Sequence, residues 1–208
     1  MPLQNRVLPT GEIVRDTARG MLTGNRGILR FDGDRLTASR WTHPHWIICT
    51  LEHPRGKYQS PQPKRGWVPL FFLDEAVGLA AGHRPCHYCR RADAARFMAA
   101  WHKGHGRALG SVLTPEVDKC LHAARVTRTR QQIRHQAKAQ ALPDGAFVLL
   151  AGGHPALIFG DAAHPYTPSG YGPPIVRPTG TVTVLTPEPI LPVLSAGYLP
   201  QLHASVQQ

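Results

Sequence analysis

The stretch "GHRPCHYCRR", residues 82 to 91, holds Cys86 and Cys89 three positions apart between histidines and arginines. Two thiolates at that spacing reach one tetrahedral ion while the backbone turns tightly around it, as in a zinc knuckle. The same spacing suits a redox dithiol, but that chemistry is expected after a βαβ pattern, and none precedes residue 86. A closed zinc sphere needs a second half-site. "CTLEH" supplies one, with Cys49 and His53 in a C-x3-H arrangement leading out of an apolar run. Cys49, His53, Cys86 and Cys89 therefore make a Cys3His set for structural Zn2+, with His83 and His87 as alternative fourth ligands. Cys120, beside Leu121, reads as a small core residue.

Other side chains with chemical potential are less ordered in sequence. Histidines pair as His43/His45, His102/His105 and His122/His135. A hydrolytic metal centre wants two or three histidines and a carboxylate around an open position. No HExxH, HNH-type or DxD pattern is present, so these pairs read as surface or capping residues. Asp144, Asp161, His154 and His164 fall on turns and read as turn chemistry.

The elements that must position the cysteines are short. Residues 1 to 48 read as strands and turns, with Asp32-Gly33-Asp34 as a hairpin signal. "WIICTLEH" is a buried strand, and "PRGKYQSPQPKRG" an exposed basic loop. "WVPLFF" is a strand that Pro69 pushes toward an edge or bulge. "LDEAVGLAAG" reads as a helix with Asp74 and Glu75 in its first turn and Gly82 at its end. The chain is helical again from Arg90 to Trp101. Thr114, Pro115 and Glu116 open a basic helix expected over residues 113 to 141, with Thr114 as its cap. Residues 142 to 208 read as a β-rich unit with its own core.

The 208 residues carry 24 Lys plus Arg against 13 Asp plus Glu, a formal charge of +11. A field of that size favours a polyanionic partner, nucleic acid first and an anionic membrane surface second. Arg84, Arg90, Arg91, Arg125, Arg128, Arg130 and Arg134 are the expected phosphate contacts, because guanidinium groups clasp phosphate bidentately. With no signal-peptide run and no 18-residue apolar stretch, the sequence predicts a soluble, cytoplasmic, non-membrane protein, in which cysteines serve metals more often than disulfides.

The segment "FFLDEAVGLAAGHRPCHYC" resembles the zinc module of Ada-type DNA methyl-phosphotriester repair proteins, where an aromatic pair, an alanine-rich helix and an "RPC-x2-C" knuckle follow in that order. The resemblance covers residues 46 to 101. It implies a zinc-binding fold presenting a basic face to DNA, and a similar module accompanies some bacterial nucleases. In that family the first cysteine of the first pair is both ligand and methyl acceptor, a role that would fall to Cys49. The family's first pair is C-x3-C, and His53 in place of the second thiolate makes the remaining sulfurs less nucleophilic, which favours a structural ion.

The expectation is an α+β protein: an Ada-like zinc-binding region with N-terminal strands at 1 to 112, the basic helix at 113 to 141 and the β-rich unit at 142 to 208. Its function reads as zinc-containing nucleic-acid binding, DNA favoured. The rivals are a DNA-processing enzyme, either a metal-dependent nuclease or a methyl acceptor at Cys49, and a zinc-braced protein-interaction module.

Overall fold

In the computed structural model, residues 2–53, 56–57 and 69–206 are described. The protein is α+β, built on two main sheets and a few short helices. The first sheet has six strands in the spatial order Arg84–Pro85, Ile47–Thr50, Leu22–Asn25, Leu70–Phe72, Gln4–Val7 and Ile13–Arg15. Two of its pairings are parallel, Arg84–Pro85 with Ile47–Thr50 and Gln4–Val7 with Leu70–Phe72. Leu70–Phe72 is thus an inner strand, not the edge expected from Pro69. The proline lies just before the strand, where it removes no ladder hydrogen bond. The hairpin at residues 31 to 36 forms as expected, with Gly33 at φ +60° in its turn.

Helix α1, Glu75–Ala80, follows the inner strand directly. The Asp74 carboxylate caps it by accepting from Val77 N at 3.0 Å. Gly82 ends it at φ +79°, and a β-carbon there would stand 2.4 Å from Arg125 Cδ. Only glycine satisfies both the turn and that approach. Helix α2, Arg91–Gly104, then buries Ala94, Phe97 and Trp101 on one face, at the spacing the sequence indicated.

Helix α3 spans Thr114–Arg125 and stops there. Thr114 is its first helical residue; Leu113 is the cap, and Leu113 N donates to the Glu116 carboxylate at 2.7 Å. The helix does not run to residue 141. Val126 instead bridges Gln132, Thr127 N donates to Gln131 O, and residues 135 to 138 form a strand. β-branched Val126 and Thr127, followed by Thr129, favour that tight turn over continued helix.

The second sheet runs His135–Lys138, Thr181–Val184, Phe147–Leu149, Pro155–Phe159, Ala162–Thr167 and Gly170–Tyr171, with Ile175–Val176 also on Ala162–Thr167. A hairpin turns around Gly152-Gly153, and the strand Thr181–Val184 leads to the short helix α4, Leu191–Ser195, so residues 142 to 208 are rich in strands. Buried apolar residues of both sheets join one cluster, in which Leu70, Phe72 and Leu79 share a core with Phe147, Leu157 and Val193.

The acids at the start of α1 tie the two parts together. Asp74 and Glu75 are fully buried. Asp74 accepts from Tyr171 OH at 2.8 Å and His203 N at 3.0 Å. Glu75 accepts from Tyr198 OH at 2.6 Å and Gln201 N at 2.8 Å. Burial pushes the Asp74 carboxyl above its usual range. Among the described residues no helix is long and apolar enough to cross a membrane.

Candidate metal centre

The sulfurs of Cys49, Cys86 and Cys89 all lie within 4.8 Å of one another. Cys49 stands in Ile47–Thr50 opposite Thr23 of the next strand. Arg84–Pro85 pairs in parallel with Ile47 and Ile48, so the chain delivers Cys86 alongside Cys49, with Cys86 N donating to Ile48 O at 2.9 Å. The turn that follows returns Cys89 to the same point. It is closed by Arg90 N donating to Cys86 O at 3.0 Å and Tyr88 N donating to Cys86 Sγ at 3.4 Å. Sulfurs on a tetrahedral zinc are roughly 3.8 Å apart for bonds of about 2.3 Å, a separation within the span of these three.

Electrostatics at the cluster fit ligand duty. Hydrogen bonds from Cys49 and Cys89 hold Cys86 far below the usual thiol range. Bonding to Cys86 and Cys89, reinforced by burial, pushes Cys49 far up. Cys89 is drawn down by Cys49 but raised more by Cys86 and burial together, and ends above its ordinary value. Three thiols in mutual hydrogen-bond contact are a donor set that a divalent cation could bind with release of protons. Cys49 is only 3% exposed. A thiol so enclosed is a poor methyl acceptor for a bulky phosphotriester and a good anchor for an ion.

His53, the fourth ligand expected from the sequence, ends the strand Glu52–His53 that pairs with Gly56–Lys57. Its side chain lies outside the described residues, as does most of the basic loop at 54 to 66. The alternatives are used elsewhere. His83 is fully buried against Trp46 and Phe72 and accepts from Arg26 Nε at 3.1 Å, and its pKa is driven well down by desolvation. His87 Nε2 sits 3.0 Å from Thr114 Oγ1. Cys120 is exposed on α3 rather than in the core.

The arginines divide sharply. Arg84 is buried, donating from Nε to Asp118 Oδ1 and from Nη2 to Asp118 Oδ2, both at 2.7 Å. Arg90 is buried between Glu75, 2.9 Å from its Nη1, and Asp93. Arg125 is 1% exposed and donates to Gly82 O, Pro44 O and His122 Nδ1. Arg84 and Arg90 are each taken up by carboxylates and do not offer a face to phosphate, while Arg125 is bonded to neutral acceptors. Arg91, Arg128, Arg130 and Arg134 are exposed.

Sequence reasoning missed two features. His45 Nδ1 lies 2.7 Å from Asp118 Oδ2, so the carboxylate that clamps Arg84 also orients a half-exposed histidine. Arg26, buried with no carboxylate bonded to it among the described residues, stacks over Trp46. A buried arginine beside glycine has no sequence signature. His102 and His105 are structural, bonded to Met98 O and Pro189 O. Compared with protein-family models, with curated proteins and with solved structures, the chain matches none.

Proposed function

We propose that this chain is a zinc-braced nucleic-acid-binding protein, DNA being the favoured partner. The convergence of Cys49, Cys86 and Cys89 from two strands and a turn carries the reading. A Cys3His sphere completed by His53 is closed, which is the form of a structural ion rather than a catalytic one. The Ada-type likeness of residues 71 to 89 supports the same role, and the charge of +11 with Arg91, Arg128, Arg130 and Arg134 on the surface supports a polyanionic partner.

Elemental analysis is expected to find one zinc per chain, and Cys49→Ser to lose it; a chain purified without zinc under metal-replete expression sinks the metal reading. Binding to duplex and single-stranded DNA should weaken steeply with salt, because each phosphate contact releases counterions. Arg128→Gln should flatten the log–log salt slope by about 1. Affinity that does not change with salt would remove nucleic acid as the partner.

One observation favours a second reading, a divalent-metal-dependent nuclease. The Asp118 carboxylate fixes His45 as a base-orienting group does. Plasmid cleavage abolished in His45→Ala would establish it, and an inert wild-type protein with Mg2+ or Mn2+ would exclude it.

A further inference from the structure

A hollow of about 810 Å3, with no cysteine among its described lining residues, lies between residues 10 to 14, residues 38 to 41 and the turn at 126 to 134. Arg26, Arg40, Arg125, Arg130 and Arg134 line it, and Glu12 is the one acid among its described lining residues. The Glu12 carboxylate already accepts from Thr10 Oγ1 at 2.8 Å. Five arginines therefore line one concave space with a single acid among its described lining residues.

The floor is the unusual part. Arg26 and Arg125 are nearly sealed from water, and both guanidiniums stack over Trp46, 4.0 and 3.7 Å from the ring centroid. Of the other buried arginines, Arg84 is bonded to Asp118 and Arg90 to Glu75, while Arg6 has no carboxylate bonded to it among the described residues. Arg26 and Arg125 bond only to neutral acceptors: Gly11 O and His83 for Arg26, and Gly82 O, Pro44 O and His122 for Arg125. Arg125 Nε is buried with no hydrogen-bond partner among the described residues. Desolvation first, and then their mutual repulsion for Arg125 or repulsion from Arg40 for Arg26, pull these groups down to about 8 and about 9. A guanidinium does not give up its proton in proteins, so the pair stays charged where burial and repulsion disfavour charge.

The rim is held ready at a cost. Arg130 has φ +69°, the one described non-glycine residue in the left-handed region. Glycine would take that conformation without strain, yet an arginine stands there, fixed by Arg130 N donating to Thr127 O at 3.0 Å and by Val126 bridging Gln132. Strain kept at a charged rim residue is a mark of a site. Trp41, half-buried on the same wall, offers a ring beside the arginines. A phosphate with a flat base next to it matches this pairing of guanidinium and indole.

We infer that this hollow binds the phosphate monoester of a nucleotide, with Arg40, Arg130 and Arg134 reaching the phosphate, Arg26 and Arg125 supplying field from the floor, and Trp41 flanking the base. The nucleotide is a free one or the phosphorylated end of a strand. The choice of nucleotide over other phosphates rests on the nucleic-acid reading; the anion site itself does not.

Calorimetric titration at low salt would use adenosine 5′-monophosphate, adenosine, and a short oligonucleotide with and without a 5′-phosphate. The monophosphate is expected to bind and adenosine not. Arg130→Gly should weaken it about ten- to hundredfold, the worth of a charge-assisted hydrogen bond. The same variant should melt within about 3 °C of wild type or above it, because strain is relieved. Arg107→Gln, an exposed arginine outside the hollow, should bind as wild type does. A preference for the 5′-phosphorylated oligonucleotide over the monophosphate assigns the strand end, and the reverse preference assigns the free nucleotide. Oligonucleotides that bind equally with or without the terminal phosphate, and equally to Arg130→Gly, would overturn the hollow while leaving nucleic-acid binding in place. Monophosphate binding with no oligonucleotide binding would keep the hollow and remove the nucleic-acid reading.

Discussion

Replacing Glu75 with alanine is expected to destabilise the protein by about 3–5 kcal/mol, the cost of stranding a buried charge. Both members of the pair are removed from water, with Glu75 fully buried and Arg90 5% exposed. The lost carboxylate leaves Arg90 with only the partly exposed Asp93, and strips acceptors from Tyr198 OH and Gln201 N. Glu75→Gln keeps an acceptor but not the charge, and should fall between alanine and wild type. The double variant Glu75→Leu, Arg90→Leu should lie closer to wild type than Glu75→Ala, because it leaves no unpaired ion. Urea denaturation reads each value, with an unchanged slope showing that the unfolded state is not altered. A loss below about 1 kcal/mol for Glu75→Ala would mean the pair is solvated, as surface ion pairs are. Arg90→Ala should behave like Glu75→Ala, and any loss of DNA binding should track unfolding.

Removing the ion proposed for the cysteine cluster is expected to be comparably severe. A ligand at a thousand times its dissociation constant stabilises the fold by about 4 kcal/mol. For a chain of this size that corresponds to a fall of about 8–16 °C in melting temperature on chelation. Cys86→Ser should melt at the chelated temperature and stop responding to chelator, while Cys120→Ser, outside the cluster, should behave as wild type. The chain's core is large enough that it should remain folded without the ion, so the effect is a shift and not a collapse. Zinc-loaded protein whose melting point ignores chelator would show that the ion sits elsewhere.

How much of this was readable in the sequence depended on how far apart the interacting residues lie. The C-x2-C turn and the stop of α1 at Gly82 are local, and each appears where its residues said, while Asp74 is the cap of α1 and not the first-turn residue expected. Cys49 joined the pair through strand register, which the apolar run "WIIC" signalled. The arginines were opaque. Arg84 finds its carboxylate 34 residues away, and Arg125 finds its carbonyls at Gly82 and Pro44, 43 and 81 residues away. A run of basic residues does not reveal which of them meet an acid from another element. The same blindness affected α3, since a charged stretch with helix formers at 119 to 125 gave no sign that Val126 and Gln132 would bridge. Asp74 and Glu75 read only as first-turn acids, because Tyr171, Tyr198, Gln201 and His203 are about a hundred or more residues downstream.

Those last contacts also set a timetable. A chain emerging in order carries two carboxylates meant for an interior whose donors are not yet made, and they must stay hydrated until residues 198 to 203 arrive. Closing loops of 123 to 129 residues is slow, so α1 should be among the last parts to dock, with the earlier strands held open to water and to chaperones until it does.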